Sequence, residues 1–435
     1  MAHNYRYMKE SLKEKKMITW AKDLFPYNRS LLGSGNLKTL SYLKKINKNL
    51  KILKFLSGKK VFDWIIPKEW IVKEAYFKSK KGKKYCDFKK NNLNLVQYST
   101  SIETLLDKKN LIKKIHSIQS QPDSIPYITS YYKKNWGFCM KDKEKKKLPE
   151  GKYKVVIKTE FKKSSLVIGE LFLKGRTKKE IFFSTNICHP SMANNELSGP
   201  VLSSYLYAYI AKNYKKTKYS YRFVFIPETI GSIAYIQKNL KLMKRNILCG
   251  FTLSCVGDER VYSQIKSPHG NNLADQALAA SLNGKNKIKT YSYLSRGSDE
   301  RQYCSPRVNL PICGFTRSKY GTYPEYHTSK DDFKVVTEKG LIGSFEVLKD
   351  VVDSFELCLY PKTKIICEPF LSKRDLMPSV RDKKMYKNKQ QLIISNLIAY
   401  SDGKRSIFEL SNILNIPLKE TVENLRILKI KNLIT

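Results

Sequence analysis

From residue 152 onward the chain alternates short apolar runs with longer amphipathic ones. Ile181-Phe182-Phe183-Ser184-Thr185 carries apolar side chains at successive positions, which predicts a strand buried on both faces. A helix is expected from Glu196 to Lys212, a strand over Tyr221–Ile226, a helix over Ser232–Met243 and a strand over Ile247–Ser254. Just upstream, Lys152–Lys158 and Ser165–Leu173 read as a hairpin. Short strands alternating with helices imply an α/β fold, a mainly parallel sheet covered on both faces. Functional side chains in such sheets gather at the carboxyl ends of the strands.

The flanking regions have a different texture. Leu37, Leu40, Leu43 and Ile46 recur at three-residue steps after the turn Gly33-Ser34-Gly35, an amphipathic helix. Between 58 and 125, stretches such as Val61-Phe62-Asp63-Trp64-Ile65 and Leu95-Val96-Gln97-Tyr98 alternate with Lys- and Pro-containing turns. They predict a small β-rich insertion. Residues 361–387 form a Pro- and Lys-rich connection, after which 388–435 reads as three short helices and a terminal strand at Leu433-Ile434. That pattern is a winged helix-turn-helix. The expected organisation is therefore an α/β domain over 1–57 and 126–360, an insertion over 58–125 and a winged helix over 388–435.

Composition narrows the class further. The chain has 435 residues with 82 Lys and Arg against 38 Asp and Glu, a net charge of +44. Most of the basic residues are Lys, spread along the whole chain in runs such as Lys143-Glu144-Lys145-Lys146-Lys147. This describes a solvated surface better than a nucleic-acid groove. The start of the chain is polar and no apolar run approaches the roughly 20 residues of a membrane span. Nine scattered Cys without a Cys-x-x-Cys pair suit reduced thiols, so a cytoplasmic protein is expected.

Chemistry is concentrated in a few places. Of five His, His3, His116 and His269 lie in ordinary surroundings. His189 follows the buried strand in Asn186-Ile187-Cys188-His189-Pro190, Glu228 follows another in Phe225-Ile226-Pro227-Glu228-Thr229, and His327 lies in Tyr326-His327-Thr328. Two His and one Glu at strand ends could assemble a zinc site with an open position. By spacing alone each is weak, because a lone His is more often structural.

Taken together these segments resemble the two-zinc aminopeptidase family over residues 20–56 and 150–355. Over its full length the chain is similar to bacterial aminopeptidase-like proteins associated with polysaccharide biosynthesis. The shared features are Trp136-Gly137-Phe138-Cys139, Arg296-Gly297-Ser298-Asp299-Glu300-Arg301, an inserted domain and a winged-helix tail. The resemblance implies zinc, carried on His189 and His327, with Glu228 as general base. Three positions depart from the family pattern. The bridging Asp is Asn195, the second Glu of the Glu-Glu pair is Thr229, and the strand-end Asp is Ser254. Two zinc ions need bridging anionic oxygen, so at most one ion is expected, on His189, His327 and a carboxylate: Glu196, Asp258 or Asp299. Asp331 or Asp332 is expected to orient the His327 ring.

Arg296, Arg301, Arg307 and Arg317 cluster near Tyr320, Tyr323 and Tyr326. In a Lys-rich chain they suggest bidentate binding of an anionic substrate, with internal salt bridges as the alternative. Cys188, Cys255 and Cys304 read as buried small hydrophobes, with Cys–His catalysis or zinc ligation as alternatives. The third C-terminal helix mixes Lys419 and Arg426 with Glu420 and Glu423, poor for phosphate contact. The leading expectation is an aminopeptidase-like metallohydrolase cleaving a small peptide or amide. The alternatives are a catalytically degenerate protein that binds an anionic, glycan-related ligand or partner, and a winged-helix regulator. DNA and membranes are not expected partners, and self-association is left open.

Overall fold

The computed structural model describes residues 11–377 and 389–435. His3, the polar start of the chain and residues 378–387 of the expected connection lie outside this set. An eight-stranded sheet forms the centre. Its order is Lys51–Leu56, Ser165–Leu173, Ser220–Ile226, Glu180–Asn186, Ile247–Leu253, Ile312–Thr316, Tyr262–Ile265 and Ile288–Tyr291. The four inner neighbours, from Ser220–Ile226 to Ile312–Thr316, run parallel. Every residue of Glu180–Asn186 is buried, the apolar Ile181, Phe182 and Phe183 as well as the polar Ser184, Thr185 and Asn186.

The hairpin reading fails. Lys152–Lys162 lies between Glu69–Ser79 and Ile102–Asp107 in a second, four-stranded antiparallel sheet. Ser165–Leu173 has Lys51–Leu56 on one side and Ser220–Ile226 on the other. Both edges of each strand are occupied, so neither has a free edge for its sequence neighbour. A boundary at 125 therefore does not enclose the small sheet, whose central strand comes from beyond it. Leu95 and Gln97 make only isolated bridges, to Phe138 and Thr129.

Helices Ser198–Asn213 and Glu338–Leu357 are among those packed on one face of the large sheet. The C-terminal helices Lys389–Tyr400, Ile407–Leu414 and Leu418–Ile430 join the same core, and Phe408 meets Phe355 edge-on at 5.3 Å. Leu418, Val422, Leu425 and Leu428 of the third helix turn inward, leaving Lys419, Glu423, Arg426 and Lys429 outside. Ile434 makes a single antiparallel bridge to Thr363. Among the described residues no helix is long and apolar enough to cross a membrane.

The expected helix from Glu196 begins at Ser198, because Ala193–Leu197 forms a wider π-type turn first. Gly199 then presses its backbone against the strand ends. A Cβ there would meet Thr185 Oγ1 at 2.0 Å and the Leu253 carbonyl at 2.7 Å. Gly199→Ala should lower stability in urea by roughly 2–3 kcal/mol, as overpacking does in a close-packed interior. A variant as stable as the parent would show that this contact can relax.

Candidate metal centre at the strand ends

His189 leaves the end of Glu180–Asn186, and His327 comes from a loop more than a hundred residues later. Their ring centroids lie 5.2 Å apart. Nδ1 of His189 meets Glu196 Oε2 at 2.6 Å, which leaves Nε2 facing outward, 3.9 Å from Glu228 Oε2. Glu228 stands at the end of the adjacent strand, Ser220–Ile226. Tyr326 stacks on the His327 ring at 3.9 Å and 13°. His327 and Thr229 both hold left-handed backbone, φ 54° and 64°, as do nearby Ser191 and Cys255. Such conformations are unfavourable for side chains of this kind and collect where function holds them in place.

The electrostatics divide the ionisable groups. Burial, and then the neighbouring His189, push His327 down to about 3, so it is a neutral imidazole with a free lone pair. Burial opposes a proton on His189 as well, but Glu196 outweighs it and the net direction is upward. Burial raises Glu228, against the pull of His189 and a hydrogen bond from Ser298. Asp299 Oδ1 accepts from the Thr229 N–H at 2.8 Å and the Ser232 hydroxyl at 2.7 Å. Burial and then Glu228 push Asp299 up to about 8.

His327 Nε2, Asn195 Nδ2 and Glu196 Oε1 are buried without a hydrogen-bond partner. Orphaned buried polar atoms are costly unless something absent from the protein satisfies them. Asn195 Oδ1 faces only the Cys255 thiol, at 3.6 Å. Amide oxygen and nitrogen are assigned from their neighbours, so turning this amide over would offer its oxygen where Nδ2 now stands. Nε2 of each imidazole and an amide oxygen, with Glu228 alongside, fit one divalent ion, which would take the place of a proton on His189. The carboxylates that a second ion would need are missing at Asn195, Thr229 and Ser254.

Other expected participants face elsewhere. Asp258 is saturated, accepting from Asn194 Nδ2, the Ser318 N–H and hydroxyl, and the Arg260 N–H. Asp331 does not meet the His327 ring. Its carboxylate accepts the N–H groups of Asn194 and Asn195 at 2.6 and 2.9 Å. Asp332 accepts from the Lys334 N–H. Arg317 is buried, bonding the carbonyls of Val261 and Gly340 with its guanidinium 3.6 Å from the centre of the Tyr262 ring. Arg296 leans on Tyr293, and the Tyr320 hydroxyl donates to Glu300. Of the arginines expected at the site, Arg301 is the one that reaches it, donating to Thr229 Oγ1 and the Ser298 carbonyl at 3.0 Å each. Cys188 accepts the Glu228 N–H at 3.2 Å, and burial holds its thiol protonated. Cys304 is spent on the carbonyls of Leu310 and Ile312. The sequence reading missed Arg29, Gln97 and Tyr127, which touch this site from segments without any motif.

The mostly parallel sheet with helices on both faces is an aminopeptidase-like fold. The zinc aminopeptidase of Bacillus subtilis superposes with a TM-score of 0.56 at 14% identity, covering 78% of this chain and 94% of that one. The chain belongs to the family described as a domain of unknown function (DUF4910), matched over residues 18–357, with a winged helix-turn-helix matched over 359–435. A Clostridium acetobutylicum protein, provisionally named a polysaccharide biosynthesis protein with an aminopeptidase-like domain, is 37% identical over 395 residues, 89% of each chain. A crystal structure from the same organism, provisionally described as a peptidase, has a TM-score of 0.86 at 33% identity. It covers 98% of this chain and 97% of its own.

The raised Asp299 carries a prediction for metal-free protein. Between its ordinary 3.8 and about 8, the folded state holds a proton that the unfolded chain has lost. The group therefore costs stability as pH rises through that window. Asp299→Asn keeps the Oδ1 acceptor and should raise Tm relative to the parent at about pH 8 more than at about pH 4. Equal shifts at both pH values would contradict the assignment.

Proposed function

We propose that this protein is a single-metal amide hydrolase of the aminopeptidase type, acting on a small peptide or related amide. The observation that carries the reading is the meeting of His189 and His327, rings 5.2 Å apart, beside the Glu228 carboxylate. His189, His327 and the side-chain oxygen of Asn195 would hold the ion. A divalent ion bound there would polarise an amide carbonyl and make a nearby water more acidic.

The remaining roles belong to the chain. Glu196 fixes the tautomer and direction of the His189 ring by occupying Nδ1. Glu228, raised toward the working range by burial, accepts a proton from the attacking water and returns it to the departing amine. Arg301 stands beside Glu228 with a guanidinium suited to a substrate carboxylate. The name of the Clostridium relative supports a substrate made during polysaccharide assembly. The inward packing of the third winged-helix element supports a structural or protein-contact role for that domain.

Metal analysis and hydrolysis of a panel of aminoacyl amides and dipeptides test the reading. One zinc per chain is expected, lost in His189→Ala and in His327→Ala. Glu228→Gln should keep the zinc and lose at least about 100-fold in kcat. Two zinc ions per chain, or none, would count against the proposal. So would full activity in Glu228→Gln.

A further inference from the structure

The two imidazoles share no bond, so their separation must be set by something else. Tyr127 touches both. Its ring centroid lies 5.1 Å from that of His189 and 5.1 Å from that of His327, edge-on to each, so the three rings form a nearly equilateral triangle. Its N–H donates to the His327 carbonyl at 2.8 Å. Its hydroxyl donates to Gln97 Oε1 at 3.0 Å, and the Tyr131 hydroxyl reaches the same oxygen at 3.3 Å. On its other end Gln97 donates from Nε2 to the Arg29 carbonyl at 2.8 Å, and Arg29 Nε donates to the His189 carbonyl at 2.8 Å. The chain of contacts closes on itself: His327, Tyr127, Gln97, Arg29, His189.

Arg29, Gln97, Tyr127 and His189 are buried, and His327 is half-buried. Arg29 is 0% and Gln97 2% exposed. Burial pulls Arg29 down to about 10, while Glu196 acts on it through space, and its Nη2 has no partner. A buried guanidinium held mainly by backbone carbonyls is an expensive way to fill space, and an apolar side chain would pack there at lower cost. What the arginine provides instead is direction, a fixed donor on the carbonyl of a metal-facing histidine.

We infer that Gln97 and Tyr127 are positioning residues, which set the spacing of His189 and His327 by tying the loops of the small sheet to the strand ends. The inference rests on the single-metal reading. Loss of contacts that orient metal ligands commonly weakens metal binding by about 10- to 100-fold.

The test is cobalt(II) affinity of the full-length chain by chelator competition, together with the visible absorption band of the bound ion. Gln97→Met keeps the volume and removes both hydrogen bonds, and Tyr127→Leu removes the wedge between the rings. Both should bind cobalt at least about tenfold more weakly and with an altered band. Tyr127→Phe keeps the wedge and should lose less than Tyr127→Leu. Leu111→Ala, a truncation in the core of the small sheet away from this network, serves as a control for destabilisation alone. It should lower Tm and leave cobalt affinity and band unchanged. If the parent binds cobalt and Leu111→Ala loses affinity as much as Gln97→Met at equal loss of Tm, the positioning role is overturned while the metal reading stands. A parent that binds no cobalt removes both.

Discussion

One carboxylate holds the two halves of the site together. Asp331, four residues beyond His327, is fully buried and accepts two backbone N–H groups from the turn that follows His189. Its own carbonyl accepts a third, from Ala193 at 2.9 Å. The turn is a wide one whose amides would otherwise lack partners, so the acid satisfies the turn and the turn fixes the acid. Burial drives Asp331 up to about 7 against these N–H donors. Residues far apart in sequence thereby become neighbours at a fixed distance. The clamp joins the segment that carries His189 to the one that carries His327, and the contacts of Tyr127 and Gln97 act within that frame on the rings themselves.

Around the clamp, charge is distributed with little redundancy. Glu196 serves one nitrogen of His189 and leaves the other to the open side. Glu228 stands across from that nitrogen, and Asp299 behind it is kept protonated by burial and by Glu228 itself. In the proposed single-ion reading, the positions expected to recruit a second ion hold an amide at Asn195 and hydroxyls at Thr229 and Ser254.

Much of this was legible in the sequence. Glu180–Asn186 announced itself as a central strand through its apolar run, and His189 and Glu228 were placed by following strand ends. Periodicity reports how a segment is buried but not which neighbour it pairs with, so Lys152–Lys158, read as a hairpin with Ser165–Leu173, pairs instead with Glu69–Ser79 and Ile102–Asp107. Arg317 illustrates a second limit. Residue type suggested an anion grip, but direction is set by tertiary packing, and this guanidinium turned to backbone carbonyls and the Tyr262 ring. Asp331 was picked out for the right neighbourhood and given the wrong partner. Gln97, Tyr127 and Arg29 carry no local pattern, and their relation exists only once three separate segments have folded together.

X-ray absorption at the zinc edge of reconstituted protein tests the single-ion centre most directly. The account predicts a first shell of nitrogen and oxygen at about 2.0–2.2 Å, with outer-shell scattering from two imidazole rings. Sulfur at about 2.3 Å would hand the ion to Cys188. A second zinc at about 3.5–4 Å would mean that the site still assembles a metal pair. Either result would contradict the account.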